Sequence, residues 1–114
     1  MNWKPLEDVG TVAQLQEISR ERPVVIFKHS TRCSISSMAL SRLERAWNDQ
    51  EMEDTDAFFL DLIRHRDVSQ KIAELFRIAH QSPQLLVIYK ARCVYDTSHM
   101  GISYGALKDQ LAQL

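Results

Sequence analysis

Runs of consecutive apolar residues alternate along this chain with segments whose apolar positions recur at helical spacing. The runs cover residues 24–27, 58–63 and 85–89 and are rich in β-branched and aromatic side chains. Such runs are typical of strands that are buried on both faces of a sheet. A shorter run at 93–95 follows the third one closely and predicts the second strand of a hairpin. Residues 3–6 could add one more short strand.

The segments between these runs predict four helices. Thr11 with Gln14 resembles a capping box for the first helix, and Asp67 and Ser103 are candidate N-caps of the third and fourth. The second helix follows Cys33 and is roughly four turns long. The apolar residues of this helix that we expect to face the core are Ile35, Met38, Ala39, Leu43, Ala46 and Trp47. In the third and fourth helices these residues are Val68, Ile72, Leu75, Phe76, Leu107, Leu111 and Leu114.

The order of these elements is helix, strand, helix, strand, helix, strand, strand, helix. A strand–helix–strand unit followed by a hairpin and a closing helix predicts an α/β fold with a central mixed β-sheet and helices on both faces. The first two long strands should be parallel, because a helix connects them. The chain has 114 residues and no internal repeat or linker, so we expect a single domain over residues 1–114.

Composition and charge narrow the classes of partner. Fourteen basic and fifteen acidic residues give a net charge of −1, which supplies no strong attraction to nucleic acid or to an anionic membrane. No apolar stretch approaches the roughly 18–20 residues that span a bilayer. The first residues contain early acids and no apolar signal-peptide core. We therefore expect a cytoplasmic protein, and nothing in the sequence demands more than a monomer.

The residues between the first long strand and the second helix carry the clearest chemical signal. Ligands of open α/β sheets gather at the carboxyl ends of the strands, and Cys33 lies there, beside the predicted helix N-terminus. Unpaired N–H groups at a helix N-terminus favour negative charge, and therefore favour the thiolate form of a cysteine. A buried and inert cysteine is the alternative. The neighbours that could stabilise the thiolate by charge or by hydrogen bonds are Lys28, His29, Thr31, Arg32, Ser34 and Ser36.

Residues 27–36 (FKHSTRCSIS), with the segments HQSPQ at 80–84, RHRDVS at 64–69 and Ser98-His99, resemble the monothiol bacilliredoxin family of the thioredoxin superfamily. The resemblance extends from Trp3 to Leu111. It implies a thioredoxin-like fold and thiol–disulfide oxidoreductase activity. Cys33 takes the position of the nucleophile, and Ser36 stands where a dithiol thioredoxin has its resolving cysteine.

The same resemblance implies a substrate class and a second part of the site. Family members remove a small thiol, bacillithiol, from protein mixed disulfides. Bacillithiol would then be a co-substrate, with no bound cofactor, and an external thiol would act as the reductant. Ser82 and Pro83 would lie beside Cys33, with a cis peptide bond between them and backbone groups offered to substrate. The chain departs from the common family pattern at Arg32 and Ser34, where the expected proline after the cysteine is missing.

Several residues allow a second interpretation. Cys93 could be a resolving or regulatory thiol, although an incidental strand cysteine is the simpler interpretation. The spacing of the four histidines matches no standard zinc pattern, so we expect no metal site. The cluster Arg64-His65-Arg66 is expected to be a solvated turn, with binding of an anionic small thiol as the alternative.

Two further functions stay open at this stage: a binding module of thioredoxin fold in which Cys33 is inert, and an iron–sulfur carrier.

Overall fold

The structure is a computed structural model that describes residues 2–114. It contains five strands, four α-helices and one 3-10 turn. In chain order these are β1 (Lys4–Pro5), α1 (Val9–Ile18), β2 (Val24–His29), α2 (Ser34–Ala46), β3 (Asp56–Asp61), α3 (Arg66–Phe76), β4 (Gln84–Tyr89), β5 (Arg92–Ser98), the 3-10 turn (His99–Gly101) and α4 (Tyr104–Ala112). No helix in this part of the chain is long and apolar enough to cross a membrane.

The strands form one mixed sheet in the order β1-β3-β2-β4-β5. Strands β1, β3 and β2 run parallel, whereas β4 is antiparallel to β2 and β5 is antiparallel to β4. Lys28 near the end of β2 pairs with Gln84 at the start of β4. The carboxyl end of β2 therefore lies beside the residues that lead into β4. This mixed α/β arrangement is the predicted fold class.

Alternate residues of β2 enter two hydrophobic cores, one on each face of the sheet. Val24 and Ile26 pack with α1 and α3, and Val25 and Phe27 pack with α2 and α4. The period of two in a pleated strand explains the division. Because helices cover both faces, all six residues of β2 are buried, including the polar Lys28 and His29.

Two predicted helix starts are wrong. Helix α1 begins earlier than expected, and Asp8 is its N-cap: its carboxylate accepts a hydrogen bond from the backbone N–H of Thr11 at 2.8 Å. The capping box with Gln14 is not formed, because Thr11 already lies inside the helix. In α3 the N-cap is His65, and Asp67 lies in the first turn of the helix. The predicted N-cap of α4 is confirmed, since Ser103 Oγ accepts from Ala106 N–H.

The strand boundaries also shift. Strand β3 begins at Asp56 and ends at Asp61, two residues before the end of the apolar run. The carboxylate of Asp61 accepts hydrogen bonds from the N–H groups of Ile63 and Arg64, which turns the chain away from the sheet. Strand β5 extends to Ser98, well beyond the predicted residues 93–95.

The inward face of α2 differs from the predicted apolar stripe. Ser36, Ala39 and Leu43 are its buried residues, whereas Ile35 is 52% and Met38 65% exposed. Ser36 was not among the residues predicted to face the core, but its hydroxyl has partners inside the protein, which makes burial favourable. Trp47 packs against the core as predicted. Two more residues that were expected to face inward are exposed, Ala46 and Leu114.

Candidate active site

Cys33 lies at the junction between a tight turn and α2. Its backbone N–H donates to Ser30 O at 3.2 Å, and its own carbonyl accepts the first helical bond from Ser37 N–H at 3.1 Å. Its extended backbone angles make it the N-cap of α2. The side chain is half-buried and carries a free thiol. Cys33 therefore has the position that the sequence predicted, at the end of β2 and the start of a helix.

Cys33 is at the N-cap position of α2, and its sulfur hydrogen-bonds no residue of 2–114. The N–H groups of Ser34, Ile35 and Ser36 have no intrahelical acceptor, because they form the first turn of α2. These N–H dipoles favour negative charge at the N-cap position. The exposed Thr31 is not bonded to the sulfur, and neither are Ser34 and Ser36. Hydroxyl donation to the sulfur, which the sequence suggested, is thus absent from the structure.

Ser36 instead holds together the turn that carries Cys33. Its buried hydroxyl oxygen accepts from the backbone N–H of Ser30 at 3.0 Å and lies 2.7 Å from His29 Nδ1. His29 packs against the ring of Phe59, with 5.4 Å between ring centroids. Burial lowers the pKa of His29, against the opposing charges of Asp61 and Glu44. The side-chain hydrogen bond of His29 is to the Ser36 hydroxyl, so His29 acts on the turn and not directly on the sulfur.

The Ser82–Pro83 peptide bond is cis, as the family resemblance implies. Pro83 is buried and immediately precedes β4, whose first residue pairs with Lys28. The backbone N–H and C=O of Ser82 hydrogen-bond no residue of the described chain, and its buried hydroxyl also lacks a partner. Unpaired buried polar groups are uncommon in folded proteins. Ser82 thus presents free hydrogen-bonding groups at the same edge of the sheet as Cys33.

Cys93 lies far from Cys33. It pairs with Ile88 in the sheet, and Ile88 pairs with Val24 at the opposite end of β2 from His29. The length of β2 therefore separates the two positions by about 16 Å, whereas a disulfide needs Cα atoms within about 7 Å. Burial raises the pKa of Cys93 to about 11. Cys93 cannot resolve a disulfide at Cys33 within one chain.

A buried lysine lies behind this edge of the sheet, in contact with Ser69 and with the exposed His80. Lys28 is fully buried, and its Nζ lies 3.3 Å from Ser69 O and 3.4 Å from His80 Nδ1. Burial lowers the pKa of Lys28 to about 8. Lys28 was predicted to add charge beside Cys33, whereas its contact with Ser69 on the α3 side of the sheet was not predicted. The signal in the sequence was a lysine that directly follows the apolar run of β2.

Gln84 shapes the loop that precedes the cis peptide bond. This fully buried side chain donates from Nε2 to Ala79 O at 3.1 Å and accepts from Gln81 N–H at 3.4 Å. Both bonds fix the chain between α3 and Pro83. In the sequence, Gln84 was recognisable only as part of the family segment, and no role was predicted for it.

Next to Cys33 lies an exposed apolar surface formed by Ile35, Met38 and Met100. Met100 in the 3-10 turn is 85% exposed, and the three side chains border a shallow cavity of about 150 Å³ together with Arg42 and His99. Arg42 donates to Ile102 O at 2.9 Å and so joins α2 to the segment after β5. Ile35 follows Cys33 by two residues, so this surface begins beside the turn that carries the thiol.

The three residues of the cluster Arg64-His65-Arg66 have different surroundings in the structure. Arg64 is exposed in the turn, and His65 Nε2 lies 3.6 Å from Glu7 Oε2. Arg66 is the first residue of α3 and lines a cavity that also involves Ser69 and His80. Of the three residues, Arg66 thus shares a cavity with Ser69 and His80, which contact Lys28.

Solved structures with the same architecture define the class of protein. The chain is 25% identical to a thioredoxin-fold protein proposed to be an oxidoreductase, with a TM-score of 0.76 over 93% of this chain and 90% of that one. It is 16% identical to mitochondrial thioredoxin 3 of Saccharomyces cerevisiae (TM-score 0.73; 98% and 95% covered). It is 12% identical to the thioredoxin of Trypanosoma brucei brucei (TM-score 0.75; 98% and 89% covered). This protein has the thioredoxin fold.

A family model described as monothiol bacilliredoxin BrxC matches residues 4–107. The match includes the Cys33 turn, the cis Ser82–Pro83 bond and β5. The chain therefore belongs to the monothiol bacilliredoxin family, and the resemblance noted in the sequence is confirmed. With its thioredoxin-fold neighbours, the family supports an oxidoreductase activity.

Alkylation distinguishes the two cysteines. At pH 8 a thiol with the raised pKa of Cys93 is ionised in about one molecule in a thousand. We expect iodoacetamide to modify Cys33 in the folded protein and to leave Cys93 intact until urea unfolds the chain, as measured by peptide mass mapping. Equal modification of the two cysteines would contradict this assignment, as would protection of Cys33 until unfolding.

Replacement of Lys28 by methionine removes a buried charge and keeps an unbranched side chain. We expect K28M to raise the free energy of unfolding at pH 7 by about 1–3 kcal/mol in urea denaturation. The gain should shrink as the pH rises from about 8 towards 10.5, because the folded wild type then releases the Lys28 proton before the unfolded chain does.

The control for this measurement is Lys71→Met, which removes the same charge from the exposed face of α3. We expect its effect to stay within about 0.5 kcal/mol at every pH. A K28M protein that is less stable than wild type at pH 7 would show that the buried ammonium stabilises the fold.

Proposed function

We propose that this protein removes a small thiol from protein mixed disulfides through Cys33 alone. The observation that carries the proposal is the separation of the two cysteines: one thiol lies at the N-terminus of α2, and the other lies at the opposite end of the sheet. A dithiol mechanism needs a second thiol within reach of the first. Here Ser36 has that place, and its hydroxyl is engaged by Ser30 and His29.

The first step is attack of the Cys33 thiolate on the small-thiol sulfur of a protein mixed disulfide. A new disulfide forms between Cys33 and the small thiol, and the protein sulfur leaves as a thiolate that takes a proton from solvent. An external thiol then attacks this new disulfide, restores the Cys33 thiolate and carries the small thiol away as a low-molecular-weight disulfide. The number of disulfides is conserved in each step, so no further oxidant or reductant is needed.

Each part of the site has a role in this cycle. The free N–H groups at the start of α2 stabilise the negative sulfur in the resting state and when it departs in the second step. The exposed Arg32 adds positive charge beside it. The free backbone groups of Ser82 can hydrogen-bond an extended substrate segment as an added strand would, which aligns its disulfide with Cys33.

Family membership supports bacillithiol as the small thiol and a low-molecular-weight thiol as the reductant. The partners are then proteins that carry such mixed disulfides. The apolar surface of Ile35, Met38 and Met100 adjoins Cys33, and it suits apolar residues that flank the modified cysteine of a partner protein.

The direct test follows release of the protein thiol from a model protein that carries a bacillithiol mixed disulfide. Wild type should release the thiol, Cys33→Ser should release none above the uncatalysed rate, and Cys93→Ser should retain the wild-type rate. Loss of activity in Cys93→Ser with an intact fold would contradict the monothiol cycle. Equal rates for wild type and Cys33→Ser would show that Cys33 is inert.

The apolar surface generates a separate prediction. Met38→Glu with Met100→Glu should lower the rate for the protein mixed disulfide relative to a small-molecule mixed disulfide by about tenfold, since each methionine loses apolar contact with the partner. The matched control is Val9→Glu with Leu114→Glu, which places the same two charges on exposed apolar residues that do not line this cavity. An unchanged ratio of the two rates would show that partner proteins do not use this surface.

A further inference from the structure

We infer that the α3 cavity, lined by Leu62, Arg66, Ser69, Gln70, Ala73 and His80, binds a carboxylate group of the small thiol that Cys33 receives. The inference rests on the proposed function, because it assigns a subsite for the co-substrate of that reaction. It predicts a preference for small thiols that carry carboxylates over neutral analogues of the same length.

The first observation is a buried cation without an anion. Lys28 is fully buried, and no carboxylate of residues 2–114 forms a salt bridge with its ammonium group. Its contacts are a backbone carbonyl and an imidazole nitrogen, at Ser69 and His80. Buried charges in proteins are ordinarily paired, because an unpaired one costs several kcal/mol. Lys28 does not itself line the cavity, so a carboxylate bound there would offset its charge from beyond Ser69 and His80.

The second observation is the orientation of donors around the cavity. An ammonium group only donates, so His80 Nδ1 must accept from Lys28 at 3.4 Å. The proton of a neutral His80 is therefore on Nε2, which bonds to no described residue. Ser69 Oγ lies 3.3 Å from the same Nδ1. Lys28 thus fixes the tautomer in which His80 offers an N–H donor.

The third observation is the cavity itself. It measures about 310 Å³, and two of its lining residues, Ser69 and His80, are the residues that contact Lys28 Nζ. Arg66 contributes an exposed guanidinium at the first residue of α3. Burial and the positive charge of Lys28 both lower the pKa of His80. Lys28 and Arg66 thus bring positive charge to the cavity, whereas Glu74 brings negative charge near the rim, where it accepts from Gln70 Nε2 at 3.2 Å.

The position of the cavity connects it to the thiol. Leu62 lines the cavity, and its N–H donates to the carbonyl of His29 at the end of β2 at 3.0 Å. His80 is three residues before Pro83, on the loop that leads into β4. Cys33 and the cavity thus lie at one edge of the sheet, on either side of the end of β2. A small thiol joined to Cys33 would extend past the end of β2 to place its carboxylate in the cavity.

The test uses one model protein with four different mixed disulfides. Two pairs differ only in masked carboxylates: glutathione with its diethyl ester, and mercaptosuccinate with its dimethyl ester. The protein thiolate that leaves is the same in all four substrates. Each rate is divided by the rate at which free N-acetylcysteine attacks the same mixed disulfide without the protein. This ratio corrects for the intrinsic reactivity of each disulfide. We expect wild type to favour the acid in at least one pair by about tenfold, as one charge-assisted hydrogen bond would.

Three variants locate the origin of that preference. Lys28→Met and Arg66→Gln should bring the ratio of acid to ester rates close to one, whereas Lys71→Met should retain the wild-type ratio. Equal rates for acid and ester in both pairs would overturn the inference while leaving the proposed function intact. A preference that persists in both Lys28→Met and Arg66→Gln would overturn it as well, because the charge of Arg32 would then explain the selectivity.

A binding measurement separates this inference from the activity. Succinate is titrated into Cys33→Ser, and the imidazole resonances of His80 are followed by NMR. We expect a saturable shift of these resonances in Cys33→Ser, and its loss when Lys28→Met is added. No release from the bacillithiol mixed disulfide of the earlier test would refute the proposed function, whereas the titration decides the subsite independently of activity. Absence of a saturable shift would exclude a carboxylate site in the cavity.

Discussion

The hydroxyl of Ser36 fixes the geometry on which the rest of the site depends. It is buried, accepts a hydrogen bond from the N–H of Ser30 and bonds to His29 at the end of β2. These bonds join the last residue of a core strand to the first turn of α2, with Cys33 between them. A polar group that is fully buried must be hydrogen-bonded to be tolerated, so the turn has little freedom to change its path. The position of the thiol at the helix N-terminus follows from this constraint.

The same end of the sheet combines rigidity with unsatisfied polar groups. Ser82 has free backbone groups and an unpartnered buried hydroxyl, and Lys28 holds a buried charge that no carboxylate of the described chain neutralises. Both features cost stability in the free protein. Functional sites commonly carry such costs, because the groups that bind a ligand cannot also be satisfied within the fold. We propose one explanation for both features: Ser82 binds the partner protein, and the α3 cavity binds the small thiol.

The fold and the position of the nucleophile were predictable from local patterns. The apolar run of β2 and the polar turn after it sufficed to place Cys33 at a helix N-terminus, and the family segment implied the cis bond before Pro83. The neighbours of the thiol were less predictable, since they depend on contacts between distant elements. Ser36 was expected to bond to the sulfur, but it bonds to His29 seven residues earlier. Met38 was assigned to the core because periodicity alone cannot show which residues of α2 the sheet covers. Lys28 contacts Ser69 across 41 residues of sequence, which no local pattern reports.

The central claim is that Cys33 takes the small thiol from the partner protein without help from a second thiol in this chain. The most direct measurement is the intact mass of this protein after one equivalent of a protein mixed disulfide has reacted and acid has stopped the exchange. The account predicts a mass increase equal to one small thiol, located on Cys33 by peptide mapping, together with free thiol on the substrate protein. A covalent complex between Cys33 and the substrate protein as the main product would contradict the account, as would a disulfide between Cys33 and Cys93.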